Sequence, residues 1–357
     1  MKTIRIGKNI ISPNNRPFFI ADVGANHDGD LKRAYKLILL AKESGADAVK
    51  FQNFKADKIV SKLGFESLGG QLSHQKSWKK SVYEVYEDAS IKTSWTHLLK
   101  TKCDEIGIEY MTSPYDFDSV DLVDECLNAY KIGSGDITWI EIIEYIAKKK
   151  KPILLATGAA DFNEVKIAVD KITEFNGDLV IMQCNTNYTG NIENIKYSNL
   201  NVLNTYKLEF PNAVIGLSDH TPGHLTVLGA IALGARVIEK HFTDDNLRVG
   251  PDHFFAMNPT TWKEMVYQSN LLFEALGDGV KKIEANEIES SIVQKRALYL
   301  NQDLKENSII GINDLKALRP ITKGAISPAE IDNVVGKRVK ISKFKDEVLL
   351  WEDIEYA

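Results

Sequence analysis

Eight apolar runs of strand length, helix-patterned segments between them and a change of texture near residue 294 predict a (β/α)8 barrel of the TIM type followed by a small, mostly β domain. The runs are nearly continuous in apolar residues, as strands covered on both faces are. A doubly wound open sheet would use the same alternation, but no GxGxxG follows the first run.

The N-terminal segment IRIG, turning through SPNN, reads as a short hairpin within about residues 1–16. The predicted barrel strands are PFFIADVG (17–24), DAVKFQ (47–52), IEYMTS (108–113), AYKIGSG (129–135), PILLATG (152–158), DLVIMQC (178–184), AVIGLSD (213–219) and RVIEKHF (236–242). Several begin just after Gly or Pro, where a preceding helix ends. Helical periodicity marks 31–45, 119–127, 139–150, 224–234 and 260–277. The barrel domain is therefore 1–277. Residues 278–293 are charged and Gly-punctuated and read as a linker with some helix. Residues 294–357 alternate short apolar pieces with turns, and a domain so small is expected to lean on a partner surface.

Composition narrows the function classes. The 357 residues are 44% hydrophobic and 26% charged, which suits a globular protein of one large and one small domain. A net charge of −5 leaves no basic footprint for nucleic acid. Cys103, Cys126 and Cys184 lie far apart with no CxxC pair, against a disulfide framework or structural zinc. The N-terminus lacks a signal-peptide core and no run approaches a membrane span, so the expectation is a reduced, soluble, cytoplasmic protein with no membrane partner.

In such barrels chemistry sits where the strands end. Those ends carry Asp22, Asn26 and His27; Lys50 and Gln52; Thr112 and Ser113; Lys131 and Ser134; Thr157; Asn185 to Tyr188; Ser218, Asp219 and His220; and Glu239, Lys240 and His241. Polar groups at every strand end describe a ring around one pocket. In VIEKHF three ionisable residues follow two buried-strand residues, and unpaired charge there would cost roughly several kcal/mol. His220 and His241 end consecutive strands, and imidazoles with oxygen donors suit manganese, iron, cobalt or zinc in an open, catalytic site. Lys50 and Lys131, with Ser134 and Ser218, suit a phosphate or carboxylate; a salt-bridge network with Asp22 or Glu239 is the structural alternative. His27 stands open between a hydrogen-bonding and a structural role, and His224 reads as a packing or capping residue. Residues 55–78 are too long for an ordinary βα connection and read as a lid over the mouth.

Taken together, ADVGANHDGDL, AVKFQNFKADKIVS, TSPYD, YKIGSGD, LLATG, IGLSDHT, VIEKHFTDD and RVGPDHFFAMNP resemble the sialic acid synthase (N-acylneuraminate synthase) family over nearly the whole chain. ALRP and VVGKRV resemble the antifreeze-protein-like (SAF) domain that this family carries. The resemblance implies a transferase that condenses phosphoenolpyruvate with the open-chain aldehyde of an N-acylated amino sugar, N-acetylmannosamine or a diacetamido-trideoxyhexose. The product is a nine-carbon 2-keto-3-deoxy acid, and phosphate leaves by carbon–oxygen cleavage. It further implies that His220 and His241 hold a divalent metal, manganese with magnesium or cobalt as alternatives. Lys50, Lys131, Ser134, Thr186 and Ser218 would bind phosphoenolpyruvate; Gln52, Tyr188, Asp252 and Arg319 would line the sugar. Arg319 would come from a partner chain in a domain-swapped homodimer.

The chain departs from the family at three places, of which Ala156 falls beside the phosphoenolpyruvate position. Asp22 stands where the family usually has a substrate-contacting, proton-moving glutamate, Ala156 replaces a serine, and QCNTNYTG differs from the common CTxxYP form, so that Asn185, Thr186 and Asn187 compete for one role. The rival readings are a phosphoenolpyruvate-dependent synthase making a seven- or eight-carbon acid, and a non-catalytic carbohydrate-binding barrel.

Overall fold

The computed structural model describes residues 2–355 and divides into two compact units, Met1–Gly277 and Asp278–Ala357. In the first, β1 (Ile4–Ile6) and β2 (Asn9–Ile11) form an antiparallel hairpin. Its turn falls at Gly7 and Lys8, ahead of the SPNN segment that the sequence suggested. Eight strands follow: β3 (Phe18–Asp22), β4 (Ala48–Asn53), β5 (Glu109–Pro114), β6 (Tyr130–Ile132), β7 (Ile153–Ala156), β8 (Leu179–Cys184), β9 (Val214–Asp219) and β10 (Val237–His241). They pair in parallel in the order β5-β4-β3-β10-β9-β8-β7-β6, and β5 lies against β6 at the seam, so the barrel is nearly closed.

The outer layer is α1 (Leu31–Glu43), α5 (Trp95–Ile106), α6 (Phe117–Asp124), α7 (Ile140–Ala147), α8 (Phe162–Phe175), α9 (Val202–Glu209), α10 (Leu225–Ala232) and α11 (Pro259–Leu276), with α2 (Ala56–Ile59), α3 (Lys62–Ser67) and α4 (Val82–Ala89) inserted after β4. α6 begins two residues earlier than its periodicity indicated, because the Asp116 carboxylate accepts the Ser119 N–H at 2.8 Å and caps it. Asn258 and Pro259 start α11 in the same economical way.

Strand alternation sorts the side chains into two cores. Phe19, Ala21, Val49, Phe51, Leu217 and Ile238 face the helices. Phe18, Ile20, Ala48, Leu154, Val180, Met182, Val214 and Val237 fill the barrel interior, where Ile4, Ile6 and Ile11 of the hairpin join them. The interior is thus apolar at its base, and two residues further along β3, β4, β9 and β10 the inward positions become Asp22, Lys50, Gln52, Ser218, Glu239 and His241.

The second unit carries α12 (Ile288–Val293) and the antiparallel pair β11 (Ala297–Leu300) and β12 (Leu315–Leu318). Its own core is Leu298, Leu300, Leu304, Ile310, Ile326, Val334, Val339, Leu349 and Ile354. Arg319, directly after β12, is exposed on this unit.

Candidate active site

Register places the site. His241 pairs beside Asp22, Asp22 beside Lys50, and Glu239 beside Ser218, so inward side chains of four adjacent strands meet at one level. Lys50 Nζ lies 2.7 Å from Asp22 Oδ2 and 3.9 Å from Glu239 Oε1; Lys131 Nζ lies 2.6 Å from the same Glu239 oxygen. Asp22, Lys50, Glu239 and Lys131 therefore alternate in sign along one buried chain, all less than 5% exposed. Burial alone would raise the Asp22 and Glu239 carboxyls, but Lys50 beside the first and Lys131 beside the second outweigh it and hold both below their usual values. Burial likewise opposes charge on Lys50, and Asp22 overrides it. The structure thus shows the salt-bridge network that the sequence offered as the structural alternative, with both lysines in it.

The anion-binding residues of the sequence reading converge. Ser218 Oγ donates to Glu239 at 3.2 Å, and Ser134 Oγ accepts the Gly158 N–H at 2.9 Å and hydrogen-bonds the Cys184 thiol. A Cβ on Gly158 would come within 2.5 Å of Thr186 Cγ2 and 3.0 Å of Ser134 Oγ; glycine is what lets those two hydroxyl residues crowd together. Thr186 is thus the member of Asn185–Asn187 beside Ser134. Asn185 instead uses its carbonyl to accept from His220 Nδ1 at 2.9 Å, and Asn187 hydrogen-bonds Thr189 and Asn194.

His220 and His241 face each other with ring centroids 5.4 Å apart. Donation from His220 Nδ1 to a carbonyl leaves its Nε2 lone pair for a ligand. His241 is flanked by two carboxylates, Nε2 3.6 Å from Asp22 and Nδ1 3.6 Å from Asp252, and its Nδ1 is buried without a hydrogen bond. Among the described residues no group of three or more His, Cys, Asp or Glu converges as it would to enclose a metal. Two imidazoles alone would leave a bound ion to complete its shell from water or substrate.

Above the histidines lies a cavity of about 370 Å³ lined by Gln52, Ser134, Asp136, Tyr188, His241 and Asp252 on the barrel side. The Tyr188 ring packs at a tilt against His220 at 4.2 Å and His74 at 4.9 Å, both centroid to centroid. Across from it stand Ile59, Val60, Phe65, Val85, Tyr86 and Ala89 of the long segment after β4. That segment is folded into short helices and walls the cavity as the expected lid would. It brings in His74 and Trp78, which the sequence offered no reason to choose.

Other strand-end groups point away from the cavity. Lys240 pairs with Asp219, Thr221 and Thr226 completing that cluster, and Thr112 bonds Asn53 at 2.7 Å. His27 is fully buried against Trp95 and accepts the Gly29 N–H, and burial pushes its imidazole down to about 4. His224 sits at the start of α10 and makes no capping bond with its side chain.

Two functional candidates went unchosen in the sequence. Glu239 joins both lysines, and its Oε2 is buried with no partner. Asp136 lines the cavity, and burial raises its carboxyl to about 6. The period-2 spacing to His241 was a usable signal for Glu239. For Asp136 the only sign was its place in YKIGSGD.

Comparison with known proteins finds matches to both units of the chain. The NeuB family model matches residues 37–281 and the SAF domain model residues 295–355. An N,N'-diacetyllegionaminic acid synthase of Legionella pneumophila is 38% identical over 95% of this chain and 94% of its own. A human N-acetylneuraminate-9-phosphate synthase is 29% identical over 95% of this chain and 92% of its own. The crystal structure of the N-acetylneuraminic acid synthetase of Leptospira borgpetersenii superposes with a TM-score of 0.71 at 27% identity, covering 81% of this chain and 95% of that one.

Proposed function

The chain belongs to the NeuB family, and from that premise we propose that it condenses phosphoenolpyruvate with the open-chain form of an N-acylated amino sugar, giving a nine-carbon 2-keto-3-deoxy acid and phosphate. The observation that carries this reading is the barrel mouth itself: two facing imidazoles beside two buried lysines, with a cavity on top.

Lys50, Lys131, Ser134, Thr186 and Ser218 bind the phosphate and carboxylate of phosphoenolpyruvate. Gln52, Tyr188 and Asp252 line the sugar, and Arg319 adds a bidentate donor from the partner chain of a swapped homodimer. Carbon three of phosphoenolpyruvate bonds to the aldehyde carbon, and the aldehyde oxygen takes a proton to become a hydroxyl. Water adds to carbon two, and the resulting hemiketal phosphate loses phosphate with cleavage of the carbon–oxygen bond. The two protons of that water are released, one balancing the new hydroxyl and one leaving with phosphate. Asp136, poised near neutrality, holds or accepts a proton at the cavity wall. Asp22 touches both halves of the site through Lys50 and His241. A divalent ion between His220 and His241, manganese by preference, would supply Lewis acidity to the aldehyde oxygen. The lid excludes water from the activated enol.

The cavity wall bears on the choice of acceptor. No Lys or Arg is among the described residues that line it, which favours an unphosphorylated acceptor over the sugar phosphates of the seven- and eight-carbon synthases, although Lys79, Lys80 and Arg248 line the adjoining cavity. The apolar lid side suits methyl groups and favours a diacetamido-trideoxyhexose over N-acetylmannosamine. A non-catalytic barrel would have no use for so costly a buried charge network. Among the described residues no helix is long and apolar enough to cross a membrane, and a cytoplasmic setting suits the phosphoenolpyruvate supply.

Phosphate release from phosphoenolpyruvate with a panel of acceptors tests the reading. Release should require an unphosphorylated N-acyl amino sugar, stop in a chelator and return with manganese. Release with sugar phosphates alone, or full activity in the chelator, would overturn it.

A further inference from the structure

The geometry points to His253 as a positioning residue that, with Asp28, locks the loop carrying Asp252 onto the loop after β3. The lock rests on the proposed acceptor-side role of Asp252, and no part of that reading requires it.

His253 is wholly buried, although it lies in a loop. Its ring spans two loops: Nε2 is 2.8 Å from Asp28 Oδ1 and Nδ1 is 2.7 Å from Thr243 Oγ1. Asp28 is held from two further sides, by Arg248 at 2.9 and 2.7 Å and by Arg33 at 3.1 Å. Arg33 also pairs with Asp244, at the root of the Asp252 loop.

One residue before His253, the Asp252 carboxylate accepts the Ala25 N–H at 3.0 Å. Ala25 and Asp28 belong to the same loop. The two loops are therefore pinned at two points by consecutive side chains, and two pins fix the orientation of Asp252 where one would leave it free to swivel. Gly24 shows how tight the fit is: its φ is +50°, and a Cβ there would stand 2.6 Å from Asp252 Oδ2 and 3.2 Å from His241. Asp252 in turn faces His241 at 3.6 Å. A surface ion pair of Asp28 and Arg248 alone would contribute little; an enclosed imidazole with a partner on each nitrogen is a placed device.

The imidazole is suited because its nitrogens lie on opposite sides of a rigid ring. An asparagine reaches only the Thr243 side, and a glutamine only the Asp28 side. His253→Asn, His253→Gln, Asp28→Asn, Asp252→Ala and the double variant His253→Asn/Asp252→Ala, each in the full chain, test the inference by steady-state kinetics and by amide hydrogen exchange. His253→Asn and Asp28→Asn should raise the acceptor KM about tenfold with the phosphoenolpyruvate KM within about twofold, and His253→Gln should recover part of the loss. The double variant should be no worse than Asp252→Ala, because the lock acts only through Asp252. The Ala25 amide, which Asp252 holds, should exchange faster in His253→Asn. Equal rises in both KM values, losses that add in the double variant, or unchanged Ala25 exchange would overturn the inference. Should the wild type release no phosphate with any acceptor, the functional reading fails, and the Ala25 exchange still decides the lock. Asp28→Asn serves if His253→Asn does not fold.

Discussion

At the scale of single residues, the site is a balance of buried charge. Lys131 is the 2.6 Å partner of Glu239, whose other oxygen already lacks one. Lys131→Met leaves that carboxylate only Ser218 at 3.2 Å and the more distant Lys50 at 3.9 Å, and should cost about 3 kcal/mol. Adding Glu239→Gln should recover most of the stability while phosphoenolpyruvate binding stays lost. Denaturant melts and ligand titration separate the two effects, and a single variant as stable as the wild type would refute the balance. Asp136 works in the opposite direction. Burial raises its carboxyl from 3.8 to about 6, so the folded state keeps a proton that the unfolded chain releases. Folding is then penalised increasingly as pH rises from about 4 to 6, and fully above that, by up to ~3 kcal/mol. Asp136→Asn should therefore melt higher than the wild type at pH 7.5, by a larger margin than at pH 5, while turning over more slowly. A margin that is the same at both pH values would contradict the assignment of a raised carboxyl. Such a site, costly to stability and useful to chemistry, is where the two demands trade against each other.

At the scale of elements, the eight strands were legible because parallel strands covered on both faces are written as unbroken apolar runs, and VIEKHF marked the point where one reaches the mouth. The histidines and lysines were legible for the same reason: nothing but a partner explains charge at such a place. Which strand-end groups turn inward was only half legible. Glu239 and His241 share a face with Val237, while Lys240 and Asp219 face α10, and counting by twos separates them. The lid's structure was not legible, since α2 and α3 are four and six residues long, below the length at which periodicity shows. His74 and Trp78 stay hidden for that reason. The lid wall carries its own prediction. Ile59→Ser and Val85→Ser put hydroxyls where methyl groups should pack, and each should lower kcat/KM for a diacetamido-trideoxyhexose about tenfold while changing that for N-acetylmannosamine much less. Equal losses on both sugars would show that the wall does not read the acceptor.

At the scale of the whole molecule, the sequence carried both domains because the change from barrel to β texture near residue 294 is abrupt, yet nothing in one chain states which barrel each small domain serves. Swapping predicts complementation. Arg319→Ala and His241→Ala should each be nearly inactive as homodimers, whereas their purified heterodimer should show about half the wild-type activity, because one of its two sites keeps His241 from one chain and Arg319 from the other. A heterodimer as inactive as its parents would place each small domain over its own barrel. Underneath every such question stands the claim that this barrel joins phosphoenolpyruvate to a sugar aldehyde and breaks the carbon–oxygen bond. Phosphoenolpyruvate labelled with oxygen-18 at the oxygen bridging carbon two and phosphorus tests it most directly, with mass spectrometry of both products. The account predicts that all of the label leaves in phosphate and that the 2-keto oxygen comes from solvent; label retained in the nine-carbon acid, or phosphate formed without that acid, would contradict it.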